Sequence, residues 1–405
     1  MHILYFHQYF ISREGSGGTR SYENAIALVK AGHKVTVICG HSKSGLKSDY
    51  KNGLRVGIVD GINIIQINTK YSNHQSFPRR AASFMAFILR SSRYVFSLDY
   101  DIIVTTSTPL TVGIPGILAK ILRKKYFIFE VRDLWPELPK AMGIIKNPLI
   151  LALMSLLEYC SYKSANKLIG LSSGMVDGIV RRGIKRSSIK LIPNGCDNLL
   201  FQSEVSNPYI KINEISDNDF IAIFSGAHGI ANGLDAVLDT AKYLKSINEH
   251  NIKFIFIGDG SSKKDLIQRA NSEELMNCIF LQPMPKTDIV SYIKNADVGL
   301  QVLKNIPEFY NGTSPNKFYD YISAGIPVIT NYPGEVAKLI ERNNIGIAVE
   351  PDNIRAFAEA ILYLKNMKED IAVMKNNSLK LAKDEFDRDK IVEAWVNWVT
   401  EDENG

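Results

Sequence analysis

Residues 311–330, Asn311-Gly312-Thr313-Ser314-Pro315-Asn316-Lys317-Phe318-Tyr319-Asp320-Tyr321-Ile322-Ser323-Ala324-Gly325-Ile326-Pro327-Val328-Ile329-Thr330, read as a loop, a short helix and a strand. Ser314 suits the N-cap, Pro315 the first helical position and Gly325 the helix exit. A helix start leaves backbone N–H groups without partners and carries partial positive charge. Lys317 adds a full charge in the first turn, so the segment is built to hold an anion such as phosphate. Asp320, three residues on, shares that face and can accept from the two hydroxyls of a ribose. Together they describe a nucleoside diphosphate lying along a helix. An ordinary capped helix with a solvated lysine is the alternative.

The same alternation of apolar runs and helices extends in both directions. In the first half, strands are expected at Ile3–Phe6, Lys34–Cys39, Ile64–Ile67, Ile102–Thr105, Tyr126–Glu130, Lys167–Gly170 and Lys190–Ile192, with a helix near 20–31. In the second half they are expected at Ile221–Ser225, Lys253–Ile257, Ile279–Leu281, Val298–Gln301, Val328–Thr330 and Ile347–Val349, with helices near 232–247 and 286–295. Such alternation implies βαβ units and parallel sheets covered on both faces. A chain of 405 residues exceeds one ordinary core, so two doubly wound domains follow. Residues 1–200 form the first and 201–375 the second, with Gln202 to Asp219 as the linker. Residues 376–405 end the chain in a helix that packs back on the first domain. The stretch from Arg355 to Glu401 is expected to be helical with a break near Asn376–Ser378, and Trp395 and Trp398 to be buried.

The apolar content of 45% and charged content of 22% are those of a globular enzyme. No apolar run reaches the roughly 18 residues of a membrane helix; the best is Leu149 to Leu157. The opening Met1-His2-Ile3-Leu4-Tyr5-Phe6 has no basic start or cleavage site and reads as a buried strand. Four scattered cysteines, Cys39, Cys160, Cys196 and Cys278, argue against a disulfide framework or zinc site and for a cytoplasmic setting. The net charge of +6 divides unevenly: residues 1–200 hold 27 Lys and Arg against 12 Asp and Glu, the remainder 21 against 30. That asymmetry points to an anionic partner for the first half. No nucleic-acid motif is present, which leaves an anionic membrane surface. Residues 79–96 form a candidate amphipathic helix, suited equally to a lipid interface or to a sheet face.

Ligands in this architecture sit beyond the carboxyl ends of the strands. Gly15-Ser16-Gly17-Gly18-Thr19-Arg20 follows the first strand and lets backbone approach a phosphate or sugar, although Arg20 stands where a dinucleotide fingerprint has its third glycine. Arg132-Asp133-Leu134-Trp135-Pro136-Glu137 follows the strand ending at Glu130. Arg132 can grip phosphate, Asp133 and Glu137 can orient hydroxyls or take a proton, and Trp135 offers a flat face to a sugar. An ion-paired turn with Trp135 in the core is the alternative. Asp99-Tyr100-Asp101 has the form of a metal-binding D-x-D but precedes its strand, so it reads as a solvated strand start. Ser225-Gly226-Ala227-His228-Gly229 and Gly258-Asp259-Gly260 line the ligand side of the second sheet and suit diphosphate or base contacts.

Taken together, these pieces resemble a glycosyltransferase of the GT-B fold, family 4. The resemblance rests on Gly15–Gly18, Gly32-His33-Lys34-Val35, Pro193-Asn194-Gly195-Cys196-Asp197, Phe256-Ile257-Gly258-Asp259-Gly260, Ser314-Pro315-Asn316-Lys317 and Ala324-Gly325-Ile326-Pro327-Val328. The Arg132–Glu137 run is similar to a bacterial subgroup that builds O-antigen and capsule repeat units, including transferases of N-acetyl-L-fucosamine. The resemblance implies an α/β protein of two Rossmann-like domains facing a central cleft. It implies a nucleotide-sugar donor, UDP-linked, on the second domain and a polyprenyl-diphosphate-linked acceptor on the first, with retention of configuration and no metal or other cofactor. By position, Lys317 and the backbone of Thr313, Ser314, Pro315 and Asn316 hold the diphosphate, and Asp320 takes the ribose. Gly17 and Gly18 lie over the diphosphate, with Ser225, Gly226, Gly258 and Asp259 lining the donor site. Lys317, Arg132 and Asp133 are the catalytic candidates, and Trp135 and Glu137 the acceptor contacts.

Two positions depart from the family pattern. Gly312 stands where an acid eight residues before Asp320 is usual, and Arg132 where many members have a histidine that contacts the donor sugar. A sugar-nucleotide epimerase of the same fold and a non-catalytic partner subunit of a transferase are the alternative readings. The expected setting is cytoplasmic, peripheral at the inner face of the cell membrane.

Overall fold

A computed structural model describes residues 1–15, 17–69 and 77–401; Ser16 of the glycine-rich loop lies outside the described residues. The chain forms two compact units. The first comprises Met1–Pro193, Asn311–Ser314 and the residues from Asp389 onward; the second comprises Asn194–Tyr310 and Pro315–Arg388.

In the first unit the strands are β1 (His2–Phe6), β2 (Lys34–Cys39), β3 (Leu54–Val59), β4 (Ile62–Ile67), β5 (Ile102–Thr106), β6 (Tyr126–Val131), β7 (Lys167–Gly170) and β8 (Ile189–Leu191). Their order is β3-β4-β2-β1-β5-β6-β7-β8. All pairs are parallel except β3 with β4. Strands sandwiched between helix layers must be apolar on both faces, and Ile3, Leu4, Tyr5 and Phe6 of β1 are all fully buried. The strand not expected from sequence is β3. It is an edge strand with Val56 and Ile58 exposed, so it lacks a continuous buried run. Asp60 and Gly61, both at positive φ, form the two-residue turn that joins it to β4.

The second unit contains β9 (Phe220–Ser225), β10 (Ile252–Ile257), β11 (Cys278–Leu281), β12 (Val298–Gln301), β13 (Val328–Thr330) and β14 (Gly346–Ala348). They form an all-parallel sheet in the order β11-β10-β9-β12-β13-β14. The strand order reverses between β9 and β12, and in the first unit between β1 and β5. At these switch points the connecting helices diverge to opposite faces and leave a crevice at the strand ends.

Three segments differ from the sequence reading. Gln202–Asp219 is packed onto the second unit: Tyr209 is buried and its hydroxyl donates to the Tyr292 carbonyl at 2.8 Å. Residues 376–378 lie inside the Lys368–Asp384 helix, and the chain bends after it, before the Arg388–Thr400 helix. Burial of Met374, Ser378 and Leu381 along one face outweighs the poor helix propensity of Asn376 and Asn377. Within 79–96, the Phe77–Ser91 helix is followed by a separate short helix, Tyr94–Ser97. Phe87, Ile88 and Val95 enter the core while Met85, Leu89 and Phe96 remain exposed.

The Arg388–Thr400 helix contributes Trp395, Val396 and Val399 to the first unit's core. The Trp395 ring stacks on Tyr5 at 5.8 Å between centroids, and its Nε1 donates to Glu130 Oε2 at 3.0 Å. Glu130 Oε1 accepts from Arg20 Nε at 2.6 Å, and the same guanidinium donates to the carbonyls of Pro193 (2.6 Å) and Ile192 (2.9 Å). At the helix end, buried Lys167 donates to the carbonyls of Trp398 (3.1 Å) and Glu401 (2.8 Å), answering the negative end of the helix dipole. Trp395→Ala is expected to destabilise the first unit by about 3–5 kcal/mol. Urea unfolding monitored by circular dichroism measures this, and a loss below about 1 kcal/mol would contradict the packing described.

Candidate functional site

In the second unit the Asn316–Ala324 helix begins one residue later than the sequence suggested. Pro315 occupies the N-cap with extended ψ (121°), so Ser314 stands one position outside. Proline offers no capping side chain, and the first amides, of Asn316 and Lys317, have no acceptor within the helix. At the other end Gly325 closes the helix at φ +72°, and a Cβ there would press on Leu379 Cγ at 2.9 Å. Helices commonly end on a glycine in this conformation.

Lys317 reaches from this helix start to the end of β9. Its Nζ donates to Asn232 Oδ1 at 2.9 Å and lies 4.5 Å from the centroid of the Phe224 ring. No carboxylate pairs with it among the described residues. The half-buried site pushes its ammonium down to about 7, through loss of hydration. Ser225 and Gly226 stand beside it, since a Cβ on Gly226 would lie 3.1 Å from Lys317 Cε. Gly226 and Gly258 approach so closely that a Cβ on Gly258 would lie 1.9 Å from the Gly226 carbonyl oxygen. Asp259 is exposed, and its Oδ1 accepts from the Gly260 amide at 2.8 Å. The structure therefore gathers Ser225, Gly226, Gly258, Asp259 and Lys317 at the ends of β9 and β10. His228, fully buried among Phe224, Phe256 and Phe280, completes this corner. Burial, with the nearby Lys263 charge, lowers its imidazole to about 4, so it is neutral at pH 7.

Asp320 engages a different set of groups. Its Oδ1 pairs with Lys286 Nζ at 2.7 Å, and Lys286 also binds Asp197, which is paired in turn with Arg388. Burial raises the Asp320 carboxyl, opposed by the Lys286 charge. Lys286 and Arg388 went unnoticed in the sequence because they lie 34 residues before and 68 residues after Asp320 in unremarkable surroundings. Thr313 and Ser314 group with the first unit, where the Asn311 carbonyl accepts from Ser172 Oγ at 2.8 Å.

In the first unit, Arg132 and Asp133 emerge from β6 beside the ends of β1 and β5. The Arg132 amide donates to Ser107 Oγ at 2.9 Å, and its Nη1 faces His7 Nε2 at 3.3 Å. Arginine can only donate, so His7 Nε2 accepts and its proton resides on Nδ1. That buried Nδ1 has no protein partner among the described residues. Burial and the Arg132 charge hold His7 well below its ordinary value, hence neutral. Asp133 accepts from Thr108 Oγ1, and burial raises its carboxyl against the opposing effects of Thr108 and Arg132. Trp135 packs partly against the core, its buried Nε1 without a partner among the described residues, and Glu137 begins the short Glu137–Ala141 helix. Gly17 lies against Ile11, where a Cβ would meet Cδ1 at 2.9 Å; Gly18 follows it, one residue before Thr19. Among the described residues no group of three His, Cys, Asp or Glu side chains could hold a metal ion. The thiols of Cys39, Cys196 and Cys278 are each pushed up to about 12 by burial, which makes them unreactive.

Comparison with known proteins agrees with this architecture. Residues 206–381 match the family model described as glycosyl transferases group 1, and residues 17–198 match that described as glycosyltransferase family 4. The chain is a glycosyltransferase. Its two α/β domains are of the GT-B type, and it is family 4-like. No curated protein sequence matches it. Among solved structures, HepE of Anabaena in complex with UDP superposes with a TM-score of 0.71 at 16% identity, covering 98% of this chain and 99% of that one. WaaG, a glycosyltransferase involved in lipopolysaccharide biosynthesis, superposes with a TM-score of 0.71 at 16% identity, covering 99% and 100%. The sucrose-phosphate synthase of Thermosynechococcus elongatus gives 0.75 at 15% identity, covering 97% of each chain.

The depressed Lys317 value has a measurable consequence. The unfolded chain keeps this lysine at its ordinary 10.5, while the folded protein releases the proton near 7. Between these pH values the unfolded state holds more protons, so stability should rise with pH across the window; below it both states are protonated and the contribution is constant. Lys317→Met should reduce that slope in urea melts taken at several pH values. An unchanged slope would mean that the ammonium is fully hydrated.

Proposed function

We propose that the protein transfers a glycosyl group from a UDP-linked sugar to a polyprenyl-diphosphate-linked acceptor in O-antigen or capsule synthesis, with retention. The transferred sugar is proposed to be N-acetyl-L-fucosamine. The single observation that carries the donor assignment is Lys317. It is a half-buried cation without a counter-charge among the described residues, at a helix start, beside two glycines whose backbones touch. That arrangement suits a diphosphate, whose charge would restore the lysine's proton. UDP in the HepE complexes lends support by analogy of fold. An anionic membrane surface at the inner face of the cell membrane is the proposed location.

As the bond from the anomeric carbon to the β-phosphate oxygen breaks, negative charge grows on UDP. The proposed role of Lys317 and the amides of Asn316 and Lys317 is to stabilise it, with Thr313, Ser314 and Pro315 assigned to shaping the approach. The proposed role of Asp320 is to hold the ribose, with Lys286 fixing its carboxylate. Arg132 is assigned to the sugar and Asp133 to the proton of the acceptor hydroxyl, a task its raised carboxyl suits better than an ordinary aspartate. Trp135 and Glu137 are assigned to the acceptor glycan. The proposed role of the glycine loop at Gly17 and Gly18 is to let backbone approach the diphosphate.

Lys317→Ala should lower turnover by at least about 100-fold, the cost of removing one transition-state donor. Near-normal turnover would remove Lys317 from the reaction. Asp133→Asn is expected to cost about 10²–10⁴ in rate with little change in donor affinity. Calorimetric titration with UDP at pH 8 in buffers of different ionisation enthalpy should reveal proton uptake, absent in Lys317→Met. Conversion of free nucleotide sugar without an acceptor would instead identify an epimerase.

A further inference from the structure

The Pro148–Ser164 helix crosses from β6 to β7 in the first unit and is apolar on nearly every side. A helix of that kind belongs either in a core or in lipid. Its inner side does enter the core: Met154 and Leu157 pack on it, and Tyr162 meets Phe129 at 6.0 Å. The outer side carries Leu149 (67% exposed), Leu153 (58%), Leu156 (58%) and Tyr159 (44%), with Ile144 and Ile150 at its start. These positions are held firmly. Asn147 caps the helix, its side chain accepting from the amides of Leu149 at 2.9 Å and Ile150 at 3.3 Å, and Pro148 occupies the first turn. Buried Ile145 anchors the approach.

Along the helix itself and the turn before it, the exposed charges have one sign. Lys140, Lys146 and Lys163 are exposed between residues 138 and 164, and the single acid there, Glu158, turns inward to pair with Arg182 at 2.6 Å. An apolar strip whose own exposed charges are lysines matches a bilayer carrying anionic lipid: acyl chains receive the leucines and headgroups the lysines. No described helix is long and apolar enough to cross a membrane, so the fit is to the surface. The position is also informative. In a parallel sheet each connecting helix starts at the end where the preceding strand stops, so this one begins near the loop carrying Arg132 to Glu137.

We propose that the outer face of the Pro148–Ser164 helix docks the first unit on an anionic lipid surface, inserting Leu149, Leu153 and Leu156 among the acyl chains. This rests on the reading of the enzyme as acting on a lipid-linked acceptor, and it moves the lipid contact away from residues 79–96. The acceptor's head would then leave the bilayer beside the loop assigned to bind it.

Flotation with vesicles of phosphatidylcholine alone, or containing phosphatidylglycerol, tests the proposal on the full chain. Wild type should float with the anionic vesicles, less so at high salt, and the triple variant Leu149→Ser/Leu153→Ser/Leu156→Ser should bind at least about tenfold more weakly. Leu153→Trp changes one exposed side chain without disturbing the core; its added indole emission should shift to the blue with anionic vesicles. Undiminished binding by the triple variant, an unmoved indole, equal binding to both vesicle types, or self-association through this face in place of vesicle binding would each overturn the proposal. The melting shift given by UDP, measured on the same preparations, reports the donor site independently: it should survive in the triple variant. Its absence from wild type would count against the transfer reading alone.

Discussion

Glu130 is a carboxylate with no exposure to solvent, placed on an inner strand of the first sheet. Removing a carboxylate from water is costly, and only full pairing compensates for it. Here one oxygen takes the Arg20 guanidinium and the other the Trp395 indole. Through these two groups the first helix, the centre of the sheet, the segment after β8 and the last helix share one buried junction. Two further guanidinium donors end on the carbonyls of Ile192 and Pro193, where the chain leaves the first unit. The arginine that breaks the dinucleotide-binding pattern is thus a structural member, and the fold uses it where a nucleotide-binding loop would need a glycine.

With both faces of each sheet covered by helices, strand ends are the remaining places for chemistry. The second unit meets this with backbone and one lysine. Gly226 and Gly258 touch without side chains, and Lys317 sits over them against the Asn232 amide and the Phe224 ring. The first unit meets it with side chains: neutral His7 against Arg132, and Asp133 against Thr108. These are different electrostatic solutions. One unit offers a positive charge that no described carboxylate answers, the other a raised carboxyl beside a fixed cation.

Much of this was legible beforehand. Thirteen of the fourteen described strands were expected close to their observed ends, most of them because buried strands announce themselves as apolar runs. The exception, β3, is half-exposed, and only the Asp60-Gly61 pair signals its turn. Asn376 and Asn377 misled because local propensity carries no information about the burial of Met374 and Leu381. At the site, residues clustered in sequence, such as Ser225-Gly226 or Arg132-Asp133, could be seen. His7, Lys286 and Arg388 could not, because their partners are supplied by tertiary packing. The Asp320 carboxylate shows the same limit: spacing placed it one turn from Lys317, but not its pairing with Lys286.

The return of the last helix to the first unit has a consequence for dissecting the enzyme. A fragment ending at Pro193 would strip Tyr5 of its stacking partner and leave Glu130 without its indole donor. Lys167 would lose the carbonyls it serves. Expressed by itself, such a half should be insoluble. A self-standing version calls for grafting residues 389–401 behind 193 with a short artificial bridge, so the unit is modular in space though discontinuous along the gene.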